Sequence, residues 1–179
     1  MLDVAVSFQR YKFLGHEFLT WLWFAIENDP DTLQASLPSG GELFIGNRMV
    51  LENRRRETAE TVIIRGDDAG LEEGLLALKK GALITEINLL LQGAEGEWRF
   101  TIKGESLDFL AFKSPAGAQI ETEADLDGAL LEKMLLCGRA VQVIESLYQI
   151  FLQARLTQHW VEKTAPGMRN WLQTGGKKR

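Results

Sequence analysis

Residues 83–113 read LITEINLLLQGAEGEWRFTIKGESLDFLAFK, and this run decides the fold class. Within it Glu97–Lys103 alternates cleanly: Trp98, Phe100 and Ile102 point one way, Arg99, Thr101 and Lys103 the other. A period of two marks a strand with one buried face. Leu83–Leu91 alternates in part, with Leu83, Ile87, Leu89 and Leu91 expected on one face. Leu107–Lys113 closes the meander after a turn at Gly104-Glu105-Ser106. Short turns between such strands require antiparallel pairing, and antiparallel sheets commonly leave one face in water.

Upstream, Glu42–Ile45 and Arg48–Glu52 are expected to form a hairpin around Gly46-Asn47, a dipeptide suited to a tight turn. The cationic run Arg54-Arg55-Arg56 follows, and Thr58–Arg65 is a further strand centred on Val62, Ile63 and Ile64. A short helix from about Gly70 to Lys80 is capped by Asp68; Lys79 and Lys80 suit its C-terminus, and Gly81 the left-handed position after it. Between the first helix and the sheet, Pro30 and Pro38-Ser39-Gly40-Gly41 mark a loop.

Helices flank this sheet region. Lys12–Asn28 is apolar nearly all round, with only His16, Glu17 and Thr20 forming a polar strip, so it must be covered on most sides. From about Asp125 to Lys163 there is no proline, and Pro166 marks the end of that stretch; Thr122 or Asp125 can cap its start. Leu130, Met134, Cys137, Val141, Ile144, Tyr148 and Phe151 recur at spacings of three and four along it. An unbroken helix there would measure roughly 50–60 Å, longer than a small sheet is wide. A bend near Gly138, or a second subunit, is expected to accommodate it. The fold is therefore α+β. An antiparallel or mixed sheet of about five to six strands is packed by an aromatic N-terminal helix, a short helix and a long C-terminal helix. Residues 1–165 form a single domain and 166–179 a C-terminal segment with a flexible basic tail.

Composition narrows the function classes. A chain of 179 residues suits one domain. The lone Cys137 cannot make an internal disulfide, which favours a cytoplasmic setting. His16 and His159 are the only histidines, too few for a conventional zinc site. Residues 13–26 are too short an apolar run to span a bilayer, which takes ~20 residues; no membrane association is expected, nor a signal peptide. No phosphate-binding glycine loop, nucleophile elbow or metalloprotease motif occurs. No enzyme, metal or cofactor is expected. A magnesium nuclease would draw on Asp67-Asp68, Glu86 or Asp125 and Asp127, but the first and last pairs are explained as helix caps.

The cationic residues are the candidate site: Arg54, Arg55, Arg56, Arg65, Lys79, Lys80, Arg99, Lys103 and Lys113. Phosphate binding needs several cations on one surface and no other sequence feature. A net charge of −5 weighs the other way, as do Glu57, Glu60 and Glu97 nearby. Trp21, Trp23 and Trp98 read as core, whereas Trp160 and Trp171 are better placed for an interface.

From Val62 to about Leu152 the chain resembles the C-terminal part of the RdgC family of recombination-associated proteins. The resemblance is carried by Val-Ile-Ile-Arg at 62–65, Ala-Leu-Lys-Lys-Gly-Ala-Leu-Ile-Thr-Glu-Ile at 77–87, Trp-Arg-Phe-Thr-Ile from Trp98 and Leu-Asp-Phe-Leu-Ala-Phe from Leu107, and the final helix. The run from Phe13 to Phe24 also resembles a segment of some members. Family members are longer and form ring-shaped dimers around double-stranded DNA, bind it without sequence preference and restrain recombinase filaments. The resemblance thus implies a nucleoid-associated DNA-binding homodimer, with recombination proteins as further partners and Arg65, Lys79 and Lys80 as backbone contacts. This chain starts almost directly at the aromatic helix, without the family's N-terminal region, so the resemblance leaves ring closure open. The alternative is an oligomeric scaffold that kept the fold without the DNA surface. A homodimer is expected either way, because the aromatic helix and the apolar repeat look too large for one subunit to cover.

Overall fold

The computed structural model describes residues 14–53, 60–66, 69–117 and 125–175. In chain order the elements are α1 (Leu14–Asn28), α2 (Pro30–Gln34), β1 (Glu42–Asn53), β2 (Glu60–Arg65), α3 (Ala69–Lys79), β3 (Leu83–Gly93), β4 (Gly96–Lys103), β5 (Phe109–Lys113) and α4 (Leu126–Arg155). A π-helical turn (Trp160–Thr164) then leads into α5 (Ala165–Thr174). The strands form one five-stranded sheet in the order β2-β1-β3-β4-β5, antiparallel throughout. The expected α+β class is what the chain adopts.

One face of the sheet carries Leu43, Met49, Leu51, Ile87, Leu89, Leu91, Trp98, Phe100 and Ile102, all buried beneath the helices. Leu83 is not among them. β3 carries an irregularity against β1 between Val50 and Leu51, which puts Ile84 into the core and leaves Leu83 exposed. A second irregularity shapes β5. Ala111 adopts φ 49°, a left-handed conformation unusual for a residue with a Cβ, and the register against β4 shifts there. Phe109 and Phe112, three apart, thereby both turn inward onto Phe100, at 5.0 and 5.8 Å between ring centroids.

The expected hairpin at Gly46-Asn47 does not form. β1 runs straight through it as one strand, with Ile45 paired to Leu89 and Met49 to Ile87, so residues 46–48 bulge opposite Asn88. The true partner strand is β2, reached through residues that lie outside the described ones. The end of α3 is as expected: Gly81 has φ 89°, and Ala82 N–H donates to Ala77 C=O at 3.0 Å.

The aromatic helix α1 is covered within the subunit. Phe18, Leu22 and Trp23 are fully buried, and Phe18 meets Tyr148 edge-on at 5.1 Å and Phe151 at 5.6 Å. Burial pushes the Tyr148 hydroxyl up to about 12. His16 donates from Nδ1 to the Ile84 carbonyl at 2.8 Å, a structural role for a buried imidazole. The expectation that this helix needs a partner subunit is corrected. So is the interface role of Trp160 and Trp171, which are both buried. The long helix ends at Arg155, and Pro166 sits in the first turn of α5, where its missing N–H costs nothing. α5 thus spans the position at which the domain was expected to end. It packs Trp171 edge-on against Trp23 at 5.1 Å.

Candidate nucleic-acid interface

The described helices occupy the Trp98 face of the sheet; the opposite face carries none of them, with Val50, Asn88 and Thr101 buried at its centre and charged side chains exposed around them. Cross-strand register arranges its side chains in rows. One row runs Phe44, Leu90, Arg99, Lys113 across β1, β3, β4 and β5. Another runs Ile63, Val50, Glu86, Lys103 across β2, β1, β3 and β4. Arg48 and Arg65 are paired directly with each other between β1 and β2. Neighbouring strands lie ~4.8 Å apart, so Arg65 and Lys103 are roughly 15 Å apart across the sheet.

Of the sequence-derived candidates, Arg65, Arg99, Lys103 and Lys113 share this open face. Arg65, Arg99 and Lys113 are exposed and Lys103 is half-buried. Lys79 and Lys80 are exposed at the end of α3, on the helical side of the sheet, and do not join the group. Arg54, Arg55 and Arg56 lie outside the described residues, as does Asp67. Arg48 is the residue that sequence reasoning passed over. Its alternation with Val50 and Glu52 was the available signal, masked by the expected turn at Gly46-Asn47.

Carboxylates interleave with these cations. Glu86 accepts from Arg48 Nη1 at 2.5 Å, and Glu97 accepts from Arg99 Nη2 at 2.9 Å. Glu42 and Glu52 stand toward the two ends of β1. Arg65, Lys103 and Lys113 show no carboxylate partner among the described residues. Between the charges, Phe44, Ile63 and Leu110 are exposed, so the face is partly apolar. Asn88 and Thr101 sit buried at its centre, joined by Asn88 Nδ2 donating to Thr101 Oγ1 at 3.1 Å.

Other chemistry is sparse. Among the described residues no three His, Cys, Asp or Glu side chains group as a metal site. Glu86, one of the acids a nuclease would use, is held by Arg48. α4 is the one described helix long and apolar enough to cross a membrane by length and composition, yet its C-terminal half is a core helix carrying Ile144, Leu147, Tyr148 and Phe151. No protein-family model matches the chain, and no curated protein or solved structure matches it either.

Proposed function

We propose that this chain binds the phosphate backbone of double-stranded DNA without sequence preference, as a homodimer, through the open face of its sheet. The observation that carries the reading is that Arg48, Arg65, Arg99, Lys103 and Lys113 share the one sheet face that no described helix covers. Such a surface meets the requirement for backbone binding, which is several cations on one side and no reading of base edges. The resemblance of Val62 to Leu152 to the RdgC family supports the same reading, with recombination proteins as further partners in the cytoplasm. Lys79 and Lys80 play no part in it.

The ion pairs are a small obstacle. Arg48 and Arg99 must leave Glu86 and Glu97 to meet phosphate; the exposed Arg99–Glu97 pair holds by about 0–1 kcal/mol, and the half-buried Arg48–Glu86 pair holds more firmly. Counterion release outweighs that at low salt. The overall charge of −5 acts at longer range and is screened within ~8 Å at physiological ionic strength.

The test is fluorescence anisotropy with a labelled duplex at two salt concentrations. Engaging three to five phosphates gives a log–log slope of about −2.7 to −4.5, a loss of roughly 40- to 500-fold between 50 and 200 mM salt. The triple variant R65A/R99A/K103A should flatten the slope. Duplex that stays unbound at low salt, or a slope unchanged in the triple variant, removes the reading. A second reading, an oligomeric scaffold without DNA binding, is favoured by one observation: the leucines exposed on the first half of α4.

A further inference from the structure

The subunit buries a face of α4 only from Leu136 onward. From Ile144 onward its residues pack beneath α1, with Tyr148 and Phe151 against Phe18. Toward the N-terminus the same helix leaves Leu126 52%, Leu130 58%, Leu131 62%, Met134 62% and Leu135 67% exposed. Leu126, Leu130 and Met134 follow one another at i+4, and Leu131 and Leu135 run beside them, so the residues form one continuous ridge. Together they expose on the order of 600 Å² of mainly apolar surface, at the top of the ~300–600 Å² of the largest patch on a typical monomer.

A groove lies directly beside the ridge. It is bounded by Phe112, Pro115 and Ala116 from β5 and the following segment, and by Leu126, Leu130 and Leu136 from α4, and encloses about 630 Å³. Ridge and groove on one surface are what a two-fold pairing needs, since each copy presents both halves of the contact. Gly138, with open space where a Cβ would be, leaves a notch one turn beyond Met134. If the axis passes near Met134, Leu130 of one copy falls opposite Gly138 of the other, because antiparallel partners then sum to 268. The ridge with the groove wall approaches the ~800 Å² per partner of a standard stable interface.

We propose that a second copy of this chain covers the first half of α4, packing antiparallel about a two-fold axis near Met134. The proposal rests on the oligomeric part of the reading above and is independent of DNA binding. Its seam carries cations, with Glu132 beside them at Gly117 of the groove wall. Lys113 and Lys133 line the groove, so pairing sets these lysines of both copies along the junction, and Lys113 continues the Arg99 row of the open sheet face toward the partner. An apolar contact between copies that each carry −5, flanked by like charges, should tighten as salt rises.

Light scattering on the full chain at micromolar concentration should give twice 20.1 kDa, with more dimer at 500 mM than at 50 mM salt. The variant L131E/L135E should halve the mass while leaving the far-ultraviolet circular dichroism of the folded subunit unchanged, since both side chains are already mostly exposed within the subunit; its Tm should lose the concentration dependence that a dimer shows. In a Cys137→Ser background, Met134→Cys should oxidise to a covalent dimer faster than an exposed control, Val161→Cys, because an axis near residue 134 holds the two thiols together. A monomer at every salt concentration overturns the proposal. So does a dimer that survives L131E/L135E, or one that Met134→Cys cannot cross-link. Slow alkylation of Leu131→Cys in a monomeric sample would show the ridge covered by the chain itself or by another partner, and would also overturn it. Loss of duplex binding in R65A/R99A/K103A with the dimer intact, or salt-sensitive duplex binding by a monomer, separates this proposal from the DNA reading.

Discussion

At the scale of single residues, the contact between Gly46 and Asn88 shows how the open face is held in shape. Asn88 is buried, donating from Nδ2 to the Phe100 carbonyl and to Thr101, each at 3.1 Å. The β1 bulge brings Gly46 so close that a Cβ there would stand 2.0 Å from Asn88 Oδ1 and 2.8 Å from its Cγ. Gly46 is required for space, not for a left-handed conformation, which is why a turn was the wrong reading of the dipeptide. Gly46→Ala should therefore destabilise the fold by about 1–3 kcal/mol, the range for overpacking a filled site. Urea unfolding would measure it. The double variant G46A/N88A should recover part of the loss, because the two residues share one contact. Additive effects would mean that Asn88 is not the atom group in the way.

Among the elements, those set by local pattern were legible and those set by distant packing were not. β4 followed its alternation, α3 ended at Gly81, and α1 formed where a run of apolar residues demanded cover. β1 was misread because Asn-Gly chemistry in a strand can serve a bulge as well as a turn. α5 escaped notice because proline suits the first turn of a helix as much as the stretch after one. What holds α5 is also non-local: Glu27 accepts from Trp23 Nε1 at 2.5 Å and from Trp171 Nε1, 144 residues away, at 2.7 Å. One carboxylate thus ties the C-terminal helix to α1. Glu27→Ala should cost about 2–4 kcal/mol, since it removes two charge-assisted bonds and leaves both indoles without that acceptor. Glu27→Gln, with one acceptor oxygen left, should fall between the two. Thermal unfolding followed by tryptophan fluorescence would rank them, and equal stability of all three would show that ring packing alone holds α5.

For the whole molecule, the proposed duplex binding asks how a chain of charge −5 gathers cations on one surface. Charge summed along the sequence hides the answer, because a strand alternates its side chains between two faces and a sheet collects one set from several strands. Arg99 and Lys103 were legible as one face of one strand, whereas Arg65 and Lys113 lie elsewhere in the sequence and their place beside that face was not legible. Register converts them, with Arg48, into a group, while Lys79 and Lys80 leave it because a helix end lies on the other side of the sheet. Register also inserts Glu86 and Glu97 into the same group, and these set a measurable brake. Each holds an arginine that the proposed duplex contact needs. The variant E86Q/E97Q keeps the shape of both side chains and removes both charges, so Arg48 and Arg99 are freed. Its duplex affinity should rise at low salt, and the slope of log affinity against log salt should steepen by up to about 2, roughly 0.9 for each added phosphate contact. A matched pair of exposed substitutions away from the sheet, Glu72→Gln with Glu73→Gln on α3, changes net charge equally and should move the slope little. If both double variants tighten binding alike, the effect is net charge alone, and the open sheet face is not where the phosphates lie.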